Sequence, residues 1–120
     1  MGKMSTHDSI IVIVIVTMLL CGFAEAETYI VGNNGKWDSA VTDWPNGKSF
    51  KSGDVLVFNY DPNVHNVVIV SKENYNSCID SGKILESGHD HVTLTSGTSY
   101  YICGFTGHCK TGMKMAVTAS

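Results

Sequence analysis

Residues 103–113 read CGFTGHCKTGM and contain the most distinctive chemistry of this 120-residue chain. Cys103, His108 and Met113 follow one another at intervals of five residues. The glycines between them let the chain fold back, so that all three side chains can be directed at one point. A thiolate, an imidazole and a thioether are transition-metal ligands, and the stretch therefore predicts part of a metal site.

A second imidazole would complete the site, and His65 is the candidate. It opens a predicted strand directly after the turn at 61–63, where a ligand from a neighbouring strand end would lie. Two imidazoles and a thiolate in a plane, with a long axial methionine, form the blue-copper electron-transfer geometry. Zinc rarely binds methionine, so the zinc alternative uses His65, Cys103, His108 and Cys109 instead. The adjacent side chains of His108 and Cys109 would then have to reach one ion although they tend to diverge, and Cys78 would be left unpaired. The residues favour copper.

The cysteines indicate one disulfide and one free thiol. Three of them remain if the first 26 residues are removed, and an odd number in a secreted domain leaves one sulfur unpaired. Pairing Cys78 with Cys109 keeps Cys103 free as a ligand, whereas pairing Cys103 with Cys109 would remove the thiolate and leave Cys78 alone. We therefore predict a Cys78–Cys109 disulfide.

The N-terminal residues are typical of a secretory signal peptide. The apolar run IIVIVIV at 10–16 continues to Cys21, and Ala24-Glu25-Ala26 is a small-x-small cleavage signal. The run is short for a membrane span, so an uncleaved anchor is the weaker alternative. We expect a cleaved signal peptide at 1–26, a single secreted, extracellular domain at 27–120, and no membrane anchor after cleavage.

Short β-branched and aromatic runs separated by turn residues predict an all-β antiparallel sandwich. Strands are expected at 28–31, 54–60, 65–70, 91–95, 99–103 and 114–118. One short helix is predicted around 72–76, and a second helical turn near 38–42. Met115 and the aromatic residues Trp37, Trp44, Phe50 and Phe58 are expected in the core or in loop packing.

Two more histidines, His89 and His91, resemble a small metal site, although a solvated loop leading into a strand explains them as well. The chain has no Arg and a net charge of −3, which argues against nucleic-acid binding. Because it also lacks an acid–base, nucleophile or phosphate-binding motif, we do not expect an enzyme. We expect a monomer.

The mature region resembles the phytocyanin family of cupredoxins, and within it the plantacyanin (basic blue protein) branch. The matching stretches are YIVG at 29–32, GDVLVFNY at 53–60, HNVV at 65–68, YNSC at 75–78 and residues 103–113. Met113 stands where stellacyanin-like relatives carry Gln, which points to the plantacyanin branch. The weakly acidic charge departs from the basic members of the family.

The resemblance implies a cupredoxin Greek-key sandwich with one copper ion bound by His65, Cys103, His108 and Met113, together with the Cys78–Cys109 disulfide. It also implies that Asn66 and Gly104 support the ligands through hydrogen bonds. The expected function is outer-sphere transfer of single electrons, with an unnamed partner, a small molecule or an extracellular protein, docking near His108. The alternative is an extracellular interaction or signalling module of the cell wall in which copper is structural or scavenged.

Overall fold

The computed structural model describes residues 25–120, which form seven β-strands, one α-helix and one 3-10 helix. Residues 1–24 lie outside the described part, and with them nearly all of the predicted signal peptide. No helix within residues 25–120 is long and apolar enough to cross a membrane. The elements in chain order are β1 (Thr28–Ile30), β2 (Val55–Asn59), β3 (Val67–Val70), α1 (Lys72–Ser77), β4 (Lys83–Leu85), β5 (His89–Thr93), β6 (Gly97–Ile102), the 3-10 helix (Cys109–Thr111) and β7 (Lys114–Ala119).

The strands form two sheets, in the orders β1-β2-β5 and β4-β3-β6-β7. This arrangement confirms the predicted all-β sandwich. The expectation of antiparallel pairing is wrong for one pair, because β1 and β2 run parallel, with Thr28 opposite Val55. Parallel neighbours need a long connection between them, and residues 31–54 provide it.

The long connection between β1 and β2 contributes to the core instead of forming a helix. Trp37, Val41, Trp44 and Phe50 are all buried. The predicted helical turn near 38–42 is wrong, since these residues form bends and the start of a turn. The amide of Val41 donates to the carbonyl of Gly112 at 3.0 Å, so it is used in a long-range contact and not in a local helical bond.

The core lies between the two sheets and is filled by alternating strand residues. In β7, Met115, Val117 and Ala119 are buried, whereas the residues between them are partly or fully exposed. The ring of Phe58 from the first sheet lies 5.3 Å from that of Tyr101 in the second. Successive strand side chains point to opposite faces, so this pattern fixes which face of each strand meets the core.

Helix α1 lies where the short helix is predicted and ends at a disulfide. The hydroxyl of Ser71 accepts the amide of Asn74 at 3.1 Å and caps its first turn. Cys78 follows in the left-handed conformation, with φ of 53°, and is bonded to Cys109. The structure thus contains the disulfide predicted from the sequence, and it ties the helix to the segment that follows His108.

Candidate metal centre

His65 is placed by a turn just before β3. The carbonyl of Asp61 accepts the amides of Val64 and His65 at 3.2 and 3.0 Å, and its carboxylate accepts the amide of Asn63 at 2.9 Å. An aspartate that binds the backbone two residues ahead is a common way to fix a turn. The side chain of His65 therefore enters the site from a defined backbone position.

Residues 103–113 form a loop that returns to its starting point. Cys103 follows β6 directly, and its amide donates to the carbonyl of Met113 at 3.0 Å. Inside the loop, the carbonyl of His108 accepts the amides of Thr111 and Met113 at 3.2 and 3.0 Å. These bonds satisfy the loop's own backbone groups and set the positions of its side chains.

The two segments bring three of the predicted ligands together. Sγ of Cys103 lies 3.4 Å from Nδ1 of His108 and 3.8 Å from Nδ1 of His65. The potential ligand atoms of the three residues all lie within 4.8 Å of one another, a spacing that suits one ion bound at their centre. We call His65, Cys103 and His108 the metal-site cluster.

Met113, the fourth predicted residue, is buried next to this cluster. Its side chain is 2% exposed and belongs to the same apolar core as Cys103. The backbone bond between Cys103 and Met113 brings the two residues together at the end of the loop. Met115, two residues further on, is also fully buried, in agreement with its predicted core position.

The surroundings of His65 favour the form of its side chain that binds a metal ion. Cys103 is 1% exposed, and both histidines are half-buried. Burial and the neighbouring His108 lower the pKa of His65, because both disfavour a charged imidazole. A neutral imidazole is the form that binds a metal ion.

A hydrogen-bonded frame joins the two segments beneath the ligands. The side-chain oxygen of Asn66 accepts the amide of Gly104 at 2.6 Å, so the two residues that the resemblance suggested are in contact. The indole N–H of Trp37 donates to the carbonyl of Asn66 at 2.8 Å. The sequence predicts only packing for Trp37, since no local pattern reveals a bond across 29 residues.

The disulfide removes one of the candidate ligand sets. Cys78 and Cys109 are joined, with their Cα atoms 5.7 Å apart. Because a disulfide sulfur is not available as a thiolate, the zinc set that includes Cys109 is not formed. Among the residues that the structure describes, Cys103 is the free cysteine.

The donor set fits copper. Thiolate and thioether are soft ligands that favour Cu(I), whereas imidazole is suited to both oxidation states of copper. His89 and His91 do not belong to the metal-site cluster and lie exposed in β5. The predicted strand there begins two residues too late, since β5 starts at His89.

Comparison with known proteins agrees with this geometry. Residues 30–113 match the family model described as a plastocyanin-like domain. The chain is 46% identical to a basic blue protein of Arabidopsis thaliana, over 87% of this chain and 82% of that protein. It is 44% identical to the chemocyanin of Lilium longiflorum, over 99% and 98% of the two chains.

A solved structure gives the same result for the fold. The cucumber basic protein, a blue copper protein, superposes with a TM-score of 0.75 at 45% identity, over 78% of this chain and 99% of its own. The chain belongs to the plastocyanin-like family of cupredoxins and, within it, to the plantacyanin branch of the phytocyanins. The predicted resemblance and the cupredoxin-like sandwich are thereby confirmed.

Proposed function

We propose that this protein is a carrier of single electrons that binds one copper ion through His65, Cys103, His108 and Met113. The observation that supports the proposal is the metal-site cluster, in which one thiol and two imidazoles from separate segments converge within 4.8 Å. When bound, copper supplies a one-electron Cu(II)/Cu(I) couple. The chain supplies the donors and a fixed frame around them.

The frame limits how far the ligands can move. The loop bonds at Cys103 and His108, and the bond from Gly104 to Asn66, hold the ligand-bearing backbone at both ends. Hydrogen-bonding groups around the ligands fix the orientation of the ligands and tune the properties of a metal site. Ligands that keep one geometry in both oxidation states require little rearrangement when an electron is transferred.

The edge of the site at His108 is suited to a docking partner. Phe105 is 36% exposed, and its ring stacks with that of His108 at 6.1 Å. Val64, next to His65, is 46% exposed, so apolar side chains flank both histidines. We infer that a small molecule or an extracellular protein approaches here, close to the half-buried His108.

An absorption spectrum of the copper-loaded protein tests this function. We expect an intense visible band, because a cysteine thiolate is among the copper ligands. Cys103→Ser should abolish the band while the fold is retained, as checked by circular dichroism. A copper-loaded protein without the band, or a Cys103→Ser variant that keeps it, would contradict the proposal and favour the interaction module.

The two buried methionines provide a matched control for the proposed role of Met113. Met113→Gln puts a stronger oxygen donor beside the ion and should lower the reduction potential, because it stabilises Cu(II). Met113→Leu removes the donor and should raise the potential. Met115→Leu, which changes an equally buried methionine of the core, should leave it unchanged. Voltammetry of the three variants measures these shifts, and equal shifts at both positions would remove Met113 from the ligand set.

We further propose that residues 1–26 are a signal peptide removed during secretion to the extracellular space, leaving a monomeric domain at 27–120. The support is the apolar run at 10–16 followed by Ala24-Glu25-Ala26. Mass spectrometry of the protein secreted by plant cells tests both the cleavage and the secretion. A mature chain that begins at Glu27 supports the proposal, and an intact N-terminus retained in the membrane fraction contradicts it.

A further inference from the structure

A second pair of imidazoles lies on the surface of the three-stranded sheet. His89 and His91 occupy alternate positions of β5, so both side chains project from the same face, and both are exposed. Their Nε2 atoms are 3.1 Å apart, and their ring centroids are 4.8 Å apart. We call these two residues the surface histidine pair.

A neighbouring amide sets the tautomer of one member of the pair. Nδ1 of His89 is hydrogen-bonded to the side-chain oxygen of Asn59, which lies opposite it on β2. Because an amide oxygen only accepts, Nδ1 of His89 carries the proton. The lone pair of His89 is then on Nε2, the nitrogen that faces His91. Metal-binding histidines are commonly oriented in this way by a partner on the second ring nitrogen.

The spacing of the two nitrogens suits one metal ion. With metal–nitrogen bonds of about 2.0–2.1 Å, a separation of 3.1 Å corresponds to an angle of about 100° at the metal. This value lies between the angles of square-planar and tetrahedral coordination. Both residues are in a paired strand, His89 opposite Asn59 and His91 opposite Val57, so the backbone holds their spacing.

We propose that the surface histidine pair is a second metal site, which binds a borderline divalent ion such as Zn²⁺ or Cu²⁺. Imidazole is a good ligand for both ions, and no sulfur is present to favour Cu(I). Because both side chains are exposed, water can occupy the remaining coordination positions. The site shares no residue with the metal-site cluster and does not depend on the proposed electron-transfer function.

Zinc titration of the protein loaded with one equivalent of copper and reduced to Cu(I) tests the proposal. We expect one Zn²⁺ to bind per chain by calorimetry, and the Nε2 signals of His89 and His91 to shift in nitrogen NMR spectra. His89→Ala and His91→Ala should each weaken Zn²⁺ binding by more than about tenfold. Loss of a residue that only hydrogen-bonds a ligand, such as Asn59, weakens metal binding by roughly tenfold. Thr93→Ala, which alters the next exposed residue on the same face of β5, serves as the control and should bind Zn²⁺ normally.

Two outcomes would overturn the proposal. If the unaltered protein binds no Zn²⁺, the pair is only a hydrogen bond between two imidazoles. If both alanine variants bind Zn²⁺ as the unaltered protein does, the ion is held elsewhere. Amide NMR spectra of each variant establish that it is folded, whether or not the metal-site cluster takes up copper.

Discussion

The metal-site cluster and the surface histidine pair each contain two imidazoles at nearly the same separation, with ring centroids 5.0 and 4.8 Å apart. They differ in almost everything else. The cluster has a buried cysteine, presents Nδ1 atoms and is built from loops between strands. The pair has no sulfur, presents Nε2 atoms and lies on the exposed face of a strand.

The difference shows that two neighbouring imidazoles do not by themselves determine which metal is bound. In the cluster, the buried sulfur of Cys103 is a soft donor that favours Cu(I), and the two imidazoles are suited to both oxidation states of copper. In the pair, the solvent supplies the missing ligands, and any borderline ion with an affinity for imidazole is suitable. Changes directed at one region should therefore leave the other unaffected.

Removal of the disulfide should have the largest effect. Cys78 and Cys109 close a loop with a sequence separation of 31, and a cross-link of this length contributes about 3–4 kcal/mol to the free energy of unfolding. The Cys78→Ala/Cys109→Ala double variant should lose that amount in urea unfolding, and its visible band should broaden because His108 adjoins Cys109. Zn²⁺ binding at the surface histidine pair should be unchanged in the folded variant. A free energy of unfolding equal to that of the unaltered protein would contradict the prediction.

Substitutions of Asn66 and Asn59, each of which supports one of the two regions, should each change one region and leave the other unchanged. Asn66→Ala removes the acceptor of the Gly104 amide and should cost about 1–2 kcal/mol of stability, with a shift of the visible band. Asn59→Ala removes the partner of His89 and should weaken Zn²⁺ binding about tenfold, with the band unchanged. Absorption spectra report on the metal-site cluster and Zn²⁺ calorimetry reports on the surface histidine pair, and both measurements are made on both variants. If each variant altered both sites, the two regions would not be independent.

A charge at the rim of the cluster should slow electron transfer without changing the site. Thr106 is exposed, two residues before His108, and Thr106→Glu should lower the rate of exchange with an anionic redox reagent by about tenfold. Thr95→Glu, two residues after the C-terminal end of β5, adds the same charge and should have little effect on the rate. Stopped-flow rates measure both. Equal rates for the two variants would exclude docking near His108.

A third imidazole should strengthen the surface site by the smallest amount in this series. Thr93→His adds a histidine to the same exposed face of β5, and we expect a Zn²⁺ affinity that is a few-fold higher. Thr93→Gln, which is polar and of similar size, should show no gain in calorimetry. A gain for both variants would indicate a general effect of the position and not coordination.

Local patterns made much of the candidate site predictable. Cys103, His108 and Met113 are spaced five residues apart within one glycine-containing loop. Their positions relative to one another therefore depend on few contacts with distant residues. The odd number of cysteines indicates one disulfide, and the need to keep Cys103 free as a ligand selects the pairing of Cys78 with Cys109. The link from His65 to that loop required a partner 38 residues away, and the sequence supplied it only through the chemistry of the donor set.

Long-range pairing explains what the sequence did not predict. The parallel contact of β1 with β2, the contribution of Trp37 to the frame and the absence of a helical turn near 38–42 all depend on residues far along the chain. The start of β5 was missed because Asp90 occupies a buried position. Hydrogen bonds from Tyr60 and Ser87 make that buried carboxylate acceptable, but they cannot be inferred from the strand's own residues.

The bond between Cys103 and Met113 closes the loop of residues 103–113 at its base, where β6 ends and β7 begins. A segment that leaves and re-enters the sandwich at one point can gain or lose residues without displacing either strand. Grafting a loop of different length between these two residues is consequently a direct way to redesign the metal's surroundings on an unchanged support.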